Sequence, residues 1–218
     1  MGNEKIKVLT LSDHPLSPSG VGTQTRYVIE ALLKTGKFQV LSLGGAIKHQ
    51  DYTPQTVDPH GEDWRIIPVD GYGTQEMIRS ILRNEKIDIL WMMTDPRFYE
   101  WLWGMENEIR PLCPIVYYHV WDNWPAPKFN KKFYDSNDAI YTISKLTNDI
   151  VNATGTNTQV KYLPHAVDND IFTQFYSIFA KDRDLDVEMD LYGGGSSDGS
   201  SGEGGYSRIR FTMKQNEE

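Results

Sequence analysis

IKVLTLSDHPLSPSGVGT, residues 6–23, combines three features that together specify a local fold. Residues 6–11 are apolar and β-branched, which predicts a buried strand. Residues 12–22 are mostly small residues and prolines, which predicts a loop. Residues 23–34 then follow with helical spacing. The stretch therefore predicts a strand, a shaped loop and a helix in immediate succession.

The same alternation continues to about residue 170. Further strands are predicted at residues 38–43, 65–69, 87–93, 114–120, 139–143 and 160–163, and further helices at residues 74–84 and 145–153. In the first helix, Val28, Leu32 and Leu33 form the predicted apolar stripe, and Gly36 the predicted left-handed stop. Units of about 30 residues that pair a strand with a helix are typical of parallel sheets. We predict a Rossmann-like α/β domain with helices on both faces of a parallel sheet.

Composition excludes several classes of protein. The chain has 218 residues, of which 22 are basic and 30 acidic, for a formal net charge of −8. This balance argues against nucleic-acid binding and against broad attachment to anionic lipid. The net charge of the whole chain does not reveal a local basic patch, so peripheral contact with a membrane is not excluded. The single cysteine, Cys113, excludes an internal disulfide and a thiolate zinc cluster.

Targeting signals are absent from the sequence pattern. No apolar run approaches the roughly 20 residues of a membrane span. Residues 1–5 contain no signal-peptide core before the first strand. The cytoplasm is therefore the expected compartment.

The end of the chain differs from the rest, and we expect residues 173–218 to form an extension to a domain of residues 1–172. Residues 193–205 contain only Gly, Ser, Asp and Glu, which predicts a flexible coil. Residues 185–192 and 206–214 flank this coil and alternate apolar with charged residues, acidic in the first and basic in the second. Opposite charges across an antiparallel pair are stabilising, so the pattern is that of a β-hairpin.

The loop before the first helix has the features of an anion site. Free main-chain amides and the positive end of the helix dipole converge there. Gly20 and Gly22 would let the backbone approach a phosphate without an intervening Cβ. Only G-x-G is present, so neither the dinucleotide fingerprint nor the Walker loop is satisfied. A plain turn with glycines at the start of a helix explains the motif equally well.

Four landmarks in order give the chain a wider resemblance. They are SDHPLSPSGVGTQ at residues 12–24, YYHVWD at 117–122, AIYTISK at 139–145 and YLPHAVDNDIF at 162–172. Together they resemble the first half of the retaining GT-B glycosyltransferases of the group 1 family, that is, of enzymes like those of glycosyltransferase family 4. The last landmark is close to the family pattern P-[HN]-G-V-D-x-x-x-F, with Ala166 in place of the usual glycine.

The resemblance implies an activity and its ligands. Such enzymes transfer a sugar from a nucleotide-sugar donor to an acceptor hydroxyl, such as that of a carbohydrate, with retention of configuration. They do so between two Rossmann-like domains, usually without a metal, and the nucleotide-sugar is a substrate rather than a cofactor. The N-terminal domain mainly binds the acceptor. The residues that the resemblance places at the donor are Gly20, Gly22, Thr23, His165 and Asp168.

Two further residues would lie at the reacting centre. His119 matches the strand-end histidine of the family, and Asp122 would bind or orient acceptor hydroxyls. Each has a simpler interpretation: His119 as a buried, hydrogen-bonded core residue, and Asp122 as part of a turn. His165 next to Pro164 has one too, as a residue that only shapes the linker.

Forty-six residues follow Phe172, too few for the donor domain that the family carries there. We therefore expect a glycosyltransferase half that is incomplete on its own. The alternative is a non-catalytic α/β module that acts through sugar binding or as a homo-oligomer, with residues 173–218 and exposed aromatic side chains as its contacts. An unrelated nucleotide-binding Rossmann enzyme is a third interpretation, weakened by the missing fingerprint.

Overall fold

The structure is a computed structural model that describes residues 4–166, 185–192 and 206–213. The chain divides into two units, Met1–Ala166 and Val167–Glu218. In the described part of the first unit, eight strands form one sheet: β1 (Ile6–Asp13), β2 (Phe38–Gly45), β3 (Gln55–Val57), β4 (Gly61–Pro68), β5 (Ile89–Met93), β6 (Ile115–His119), β7 (Ala139–Thr142) and β8 (Val160–Tyr162).

The sheet is parallel apart from one edge strand. Its order is β3-β4-β2-β1-β5-β6-β7-β8, and β3 alone runs antiparallel to its neighbour, β4. From β1 the chain builds outward in one direction through β2 and β4, and from β5 it builds in the other direction. The order of the strands therefore reverses between β1 and β5, which is where open α/β sheets bind ligands.

Helices connect the strands, and the three longest begin at a side-chain cap. They are α1 (Gly20–Lys34), α2 (Gln75–Asn84), α3 (Glu100–Trp103), α4 (Glu106–Ile109), α5 (Lys131–Asp135) and α6 (Lys145–Ala153). The Thr74 hydroxyl caps α2, and the Ser144 hydroxyl caps α6 by accepting a hydrogen bond from the Thr147 amide. Gly36 has φ of +69° just after α1, as a left-handed stop requires. No helix in the described ranges has the length and apolar character needed to cross a membrane.

The core occupies both faces of the sheet, because successive residues of a strand point to opposite sides. On β1, Val8 belongs to one cluster of buried apolar side chains and Leu9 to the other. The Val8 cluster includes Ile29 from α1, and the Leu9 cluster includes Ile78 from α2. The predicted Rossmann-like α/β architecture, with a parallel sheet and helices on both faces, is confirmed.

The described part of the second unit consists of two strands, β9 (Leu185–Tyr192) and β10 (Tyr206–Met213), which pair antiparallel. Their register sets Arg208 opposite Asp190 and Arg210 opposite Glu188. The predicted pairing of an acidic with a basic strand is therefore present in the backbone register. The predicted coil at residues 193–205 lies outside the described residues.

Candidate functional site

The predicted site residues that the structure describes all lie at one edge of the sheet. Parallel strands end at the same edge, so the segments after β1, β6 and β8 are brought together there. These residues are Gly20, Gly22 and Thr23 after β1, His119 and Asp122 at and after the end of β6, and His165 after β8. Asp168 lies outside the described residues.

Direct contacts join the four sequence landmarks to one another. The Gln24 side chain on α1 bonds both main-chain groups of Ala166, with distances of 2.7 Å to its carbonyl oxygen and 2.9 Å to its amide. The ring of His165 packs edge-on against that of Tyr118, 5.7 Å between centroids. The carbonyl of His119 accepts a hydrogen bond from the Ile143 amide at 3.3 Å. Segments far apart in sequence therefore converge at the carboxyl edge.

The start of α1 leaves two main-chain amides free. The Gly22 amide donates to the Ser19 hydroxyl at 2.9 Å, and the Thr23 amide donates to the Ser19 carbonyl at 2.9 Å. Among the described residues, the Gly20 and Val21 amides have no acceptor, as expected for the first turn of a helix. Gly20 is exposed, and a Cβ there would meet nothing within 4 Å. The helix start thus offers two donors rather than four.

Gly22 is required for a reason that differs from the one the sequence suggested. A Cβ there would lie 2.6 Å from the carbonyl oxygen of His14 and 2.6 Å from the hydroxyl of Ser17. The space beside Gly22 is therefore filled by the loop of residues 14–19, and the glycine allows this loop to close on the helix.

A carboxylate that the sequence analysis did not single out lies at the same loop. Asp13, the last residue of β1, accepts hydrogen bonds from the Ser19 hydroxyl at 2.7 Å and the Tyr72 hydroxyl at 2.9 Å. Burial and the Asp13 carboxylate together raise the pKa of Tyr72. The detectable signal was the position of Asp13 at a strand end that meets the switch point.

Thr94 lies across the switch point from Asp13, directly after β5. It is a β-branched residue with φ of +151°, a conformation that costs free energy, and its side chain is buried. The Tyr117 hydroxyl donates to its carbonyl oxygen at 2.6 Å, which holds this backbone in place. The local sequence gives no sign of such strain.

His119 is completely buried and only half hydrogen-bonded. Its Nε2 atom lies 2.8 Å from the Tyr134 hydroxyl, and its Nδ1 atom has no partner among the described residues. Its ring also packs against Tyr117, 4.7 Å between centroids. Burial lowers the pKa of His119 to about 3, so the imidazole is neutral at physiological pH. His119 is thus buried, as the simpler interpretation supposed, but one ring nitrogen lacks the partner that interpretation requires.

The other predicted residues are more accessible. Asp122 is exposed in the loop after β6, and His165 is exposed beyond β8. His14 in the β1–α1 loop is buried instead, and its Nδ1 atom accepts a hydrogen bond from the Leu16 amide at 3.2 Å. Burial and the nearby His49 lower the pKa of His14. We assign His14 to the structure of the loop.

Within the described ranges, no cluster of three or more His, Cys, Asp or Glu side chains is arranged to hold a metal ion. Cys113 is buried, and burial raises the pKa of its thiol to about 11, which removes it from thiolate chemistry.

Comparison with known proteins assigns no family to the chain. No protein-family model matches the chain, and no curated protein matches it. Among solved structures, the apo structure of OtsA matches with a TM-score of 0.47 and 9% sequence identity. The match covers 84% of this chain and 56% of the OtsA chain, so this chain spans little more than half of OtsA.

Proposed function

We propose that residues 4–166 form the acceptor-side half of a retaining glycosyltransferase, which transfers a sugar from a nucleotide-sugar to an acceptor hydroxyl. One observation carries the proposal: the four landmarks of the resemblance contact one another at the carboxyl edge, beside the switch point. A parallel sheet brings any segments that follow its strands to one edge, but it does not by itself require the Gln24–Ala166 and Tyr118–His165 side-chain contacts.

The free amides of Gly20 and Val21 are the proposed contacts of the donor diphosphate, and Thr23 would lie beside them. Donors fixed in advance stabilise a leaving group as its charge develops, which is the main demand of this reaction. The Asp13 carboxylate, 2.7 Å from the Ser19 hydroxyl, opposes an anion here. We therefore expect modest affinity for the diphosphate. The nucleotide-sugar is a substrate in this scheme, and no cofactor takes part.

His119 is the proposed hydrogen-bonding partner of the reacting sugar through its free Nδ1 atom. Because the His119 side chain has no exposed surface, the packing around it, which includes Trp121 of the loop after β6, must open before substrate can reach it. Asp122 in that loop would orient acceptor hydroxyls. His165 and Asp168 remain candidates for the donor side. The described residues supply only one side of such a site, so we expect weak binding and little turnover.

Substitution at Gly20 tests the proposed diphosphate contact. Proline suits the first position of a helix, and the extended backbone of Ser19 before it, with φ of −91° and ψ of 154°, is compatible with proline. Gly20→Pro therefore removes one amide donor without disrupting α1. Because a hydrogen bond to a charged group contributes about 1.5–3 kcal/mol, we expect at least roughly tenfold weaker binding. The measurement is calorimetric titration with UDP-glucose, GDP-mannose and ADP-glucose.

Gly20→Ala is the matched control, because it keeps the amide and its Cβ meets nothing within 4 Å. We expect it to bind like the wild type. Equal affinities for the proline and alanine variants, or no binding of any nucleotide-sugar by the wild type, would contradict the proposed donor contact. A coupled assay for released nucleotide diphosphate tests the expectation of little turnover. Rapid turnover by this chain would contradict the proposal that the described residues supply only one side of the site.

A further inference from the structure

The loop between β6 and α5, residues 120–130, carries aromatic side chains that the core does not use. We call it the β6 loop. Trp124 is 56% exposed and Phe129 is 71% exposed, the largest fraction among the exposed large apolar side chains of the described residues. Immediately beyond the loop, Phe133 stacks on Trp103 and Tyr134 is fully buried. The sequence therefore places some aromatic residues of this region inside and leaves two outside.

The exposed aromatics stand on a loop with defined internal bonds. The Asn130 amide donates to the Pro127 carbonyl at 2.8 Å, and the Trp121 indole N–H donates to the Asn123 carbonyl at 3.0 Å. The ring of Phe129 lies edge-on to that of Trp121, 6.2 Å between centroids. Two large and mostly exposed aromatic side chains on one ordered loop indicate an interaction surface.

Residues 120–135 contain three lysines and two aspartates, Asp122 and Asp135, for a net charge of +1, opposite in sign to that of the whole chain. Lys128 and Lys132 are exposed, and neither has a carboxylate partner in the part of the chain that the structure describes. Lys132 lies over the Phe133 ring at 4.5 Å, while Lys131 is paired with Asp135. Two lysines without a carboxylate partner therefore lie close in sequence to the two exposed aromatics, in a protein with a net charge of −8.

We propose that the β6 loop docks on an anionic lipid surface, with Trp124 and Phe129 inserted at the interface and Lys128 and Lys132 at the headgroups. Aromatic rings with adjacent lysines suit the boundary between headgroups and acyl chains. Each lysine near an anionic leaflet strengthens binding by about fivefold. A bilayer also needs no shape-matched pocket. This docking does not depend on the proposed transferase activity.

Sedimentation with vesicles tests the docking. The full chain is mixed with phosphatidylcholine vesicles that contain or lack phosphatidylserine, and we expect binding only to the anionic vesicles, with a marked decrease at high salt. Trp124→Ala/Phe129→Ala is expected to reduce partition at least tenfold. Lys128→Gln/Lys132→Gln is expected to reduce it by roughly twenty-five-fold, from two lysines at about fivefold each.

Two control variants carry the same changes elsewhere. Leu112→Ala/Ile6→Ala removes exposed apolar side chains at the opposite edge of the sheet, and Lys34→Gln/Lys37→Gln removes two exposed charges near the end of α1. Both should bind vesicles like the wild type. Equal binding to neutral and anionic vesicles, or equal losses in the loop and control variants, would overturn the proposal. Tryptophan fluorescence quenched by maltotriose, without vesicle binding, would assign the aromatic pair to a soluble sugar and also overturn it.

Discussion

The free energy of unfolding is expected to fall as the pH is lowered below 6.5, and His119 alone is expected to contribute about 1.4 kcal/mol per pH unit. The pKa of the buried imidazole is about 3, against an ordinary value of 6.5. Between these values the unfolded chain binds a proton that the folded protein excludes, so stability rises with pH. The contribution of His119 to the free energy of unfolding is fully present above pH 6.5. Roughly 3 kcal/mol of it is lost by about pH 4.5.

Urea unfolding followed by tryptophan fluorescence at several pH values measures this effect. The buried His14 also has a lowered pKa, so the wild-type slope contains more than one group, and a variant must isolate His119. His119→Gln places a neutral nitrogen donor near the Tyr134 hydroxyl and removes the titrating group. It is expected to be less stable at neutral pH but to lose less stability on acidification.

His60→Gln is the matched control, since His60 is only partly buried, beside Trp64 with 5.8 Å between ring centroids. Its acid sensitivity should equal that of the wild type. If His119→Gln lost stability with pH as steeply as the wild type, the imidazole would not be buried in its neutral form. The proposed role of its Nδ1 atom as a neutral hydrogen-bonding group would then fail as well.

The strands of the central sheet were predictable because burial on both faces leaves long apolar runs in the sequence. The run at residues 87–93 contains β5, and the run at 114–120 contains β6. β3 was missed because it is three residues long, and its first two, Gln55 and Thr56, are exposed at the edge. Its stability comes from pairing with β4, which no local pattern reports.

The first helix was placed correctly, but its buried face was not. The sequence analysis assigned Val28, Leu32 and Leu33 to the apolar stripe, whereas Val28 and Leu32 are only partly buried. The face that packs on the sheet consists of Gly22, Thr25, Ile29 and Leu33. Because Gly22 and Thr25 are not apolar residues, a pattern based on hydrophobicity does not detect this face. The helix also begins at Gly20, three residues before the predicted start.

The position of the candidate site followed from the sequence, but its geometry did not. The predicted parallel sheet implies that segments after its strands meet at the carboxyl edge, because parallel strands end together. The bond between Tyr72 and Asp13 joins residues 59 apart, and the Gln24 contact with Ala166 joins residues 142 apart. Such pairs depend on side-chain packing across the whole domain, which spacing along the chain does not encode.

Gly22→Ala is expected to lower the free energy of unfolding by about 2–3 kcal/mol, because it adds a methyl group to a space that is already filled. The new methyl group would lie 2.6 Å from the main-chain oxygen of His14, and a main-chain atom cannot rotate away as a side chain can. To make room, the loop of residues 14–19 must move off the helix. That movement would also weaken the bond between the Ser19 hydroxyl and the Gly22 amide, which caps the helix.

Gly20→Ala is the comparison that isolates this clash, because it makes the same chemical change two residues earlier in open space. Alanine is also the better helix former, so we expect its stability to stay within about 0.5 kcal/mol of the wild type or to rise slightly. Urea unfolding at neutral pH measures both variants. If Gly22→Ala were as stable as Gly20→Ala, the space beside Gly22 would be open rather than filled by the loop. The glycine would then be free to admit a ligand, as the sequence alone had suggested.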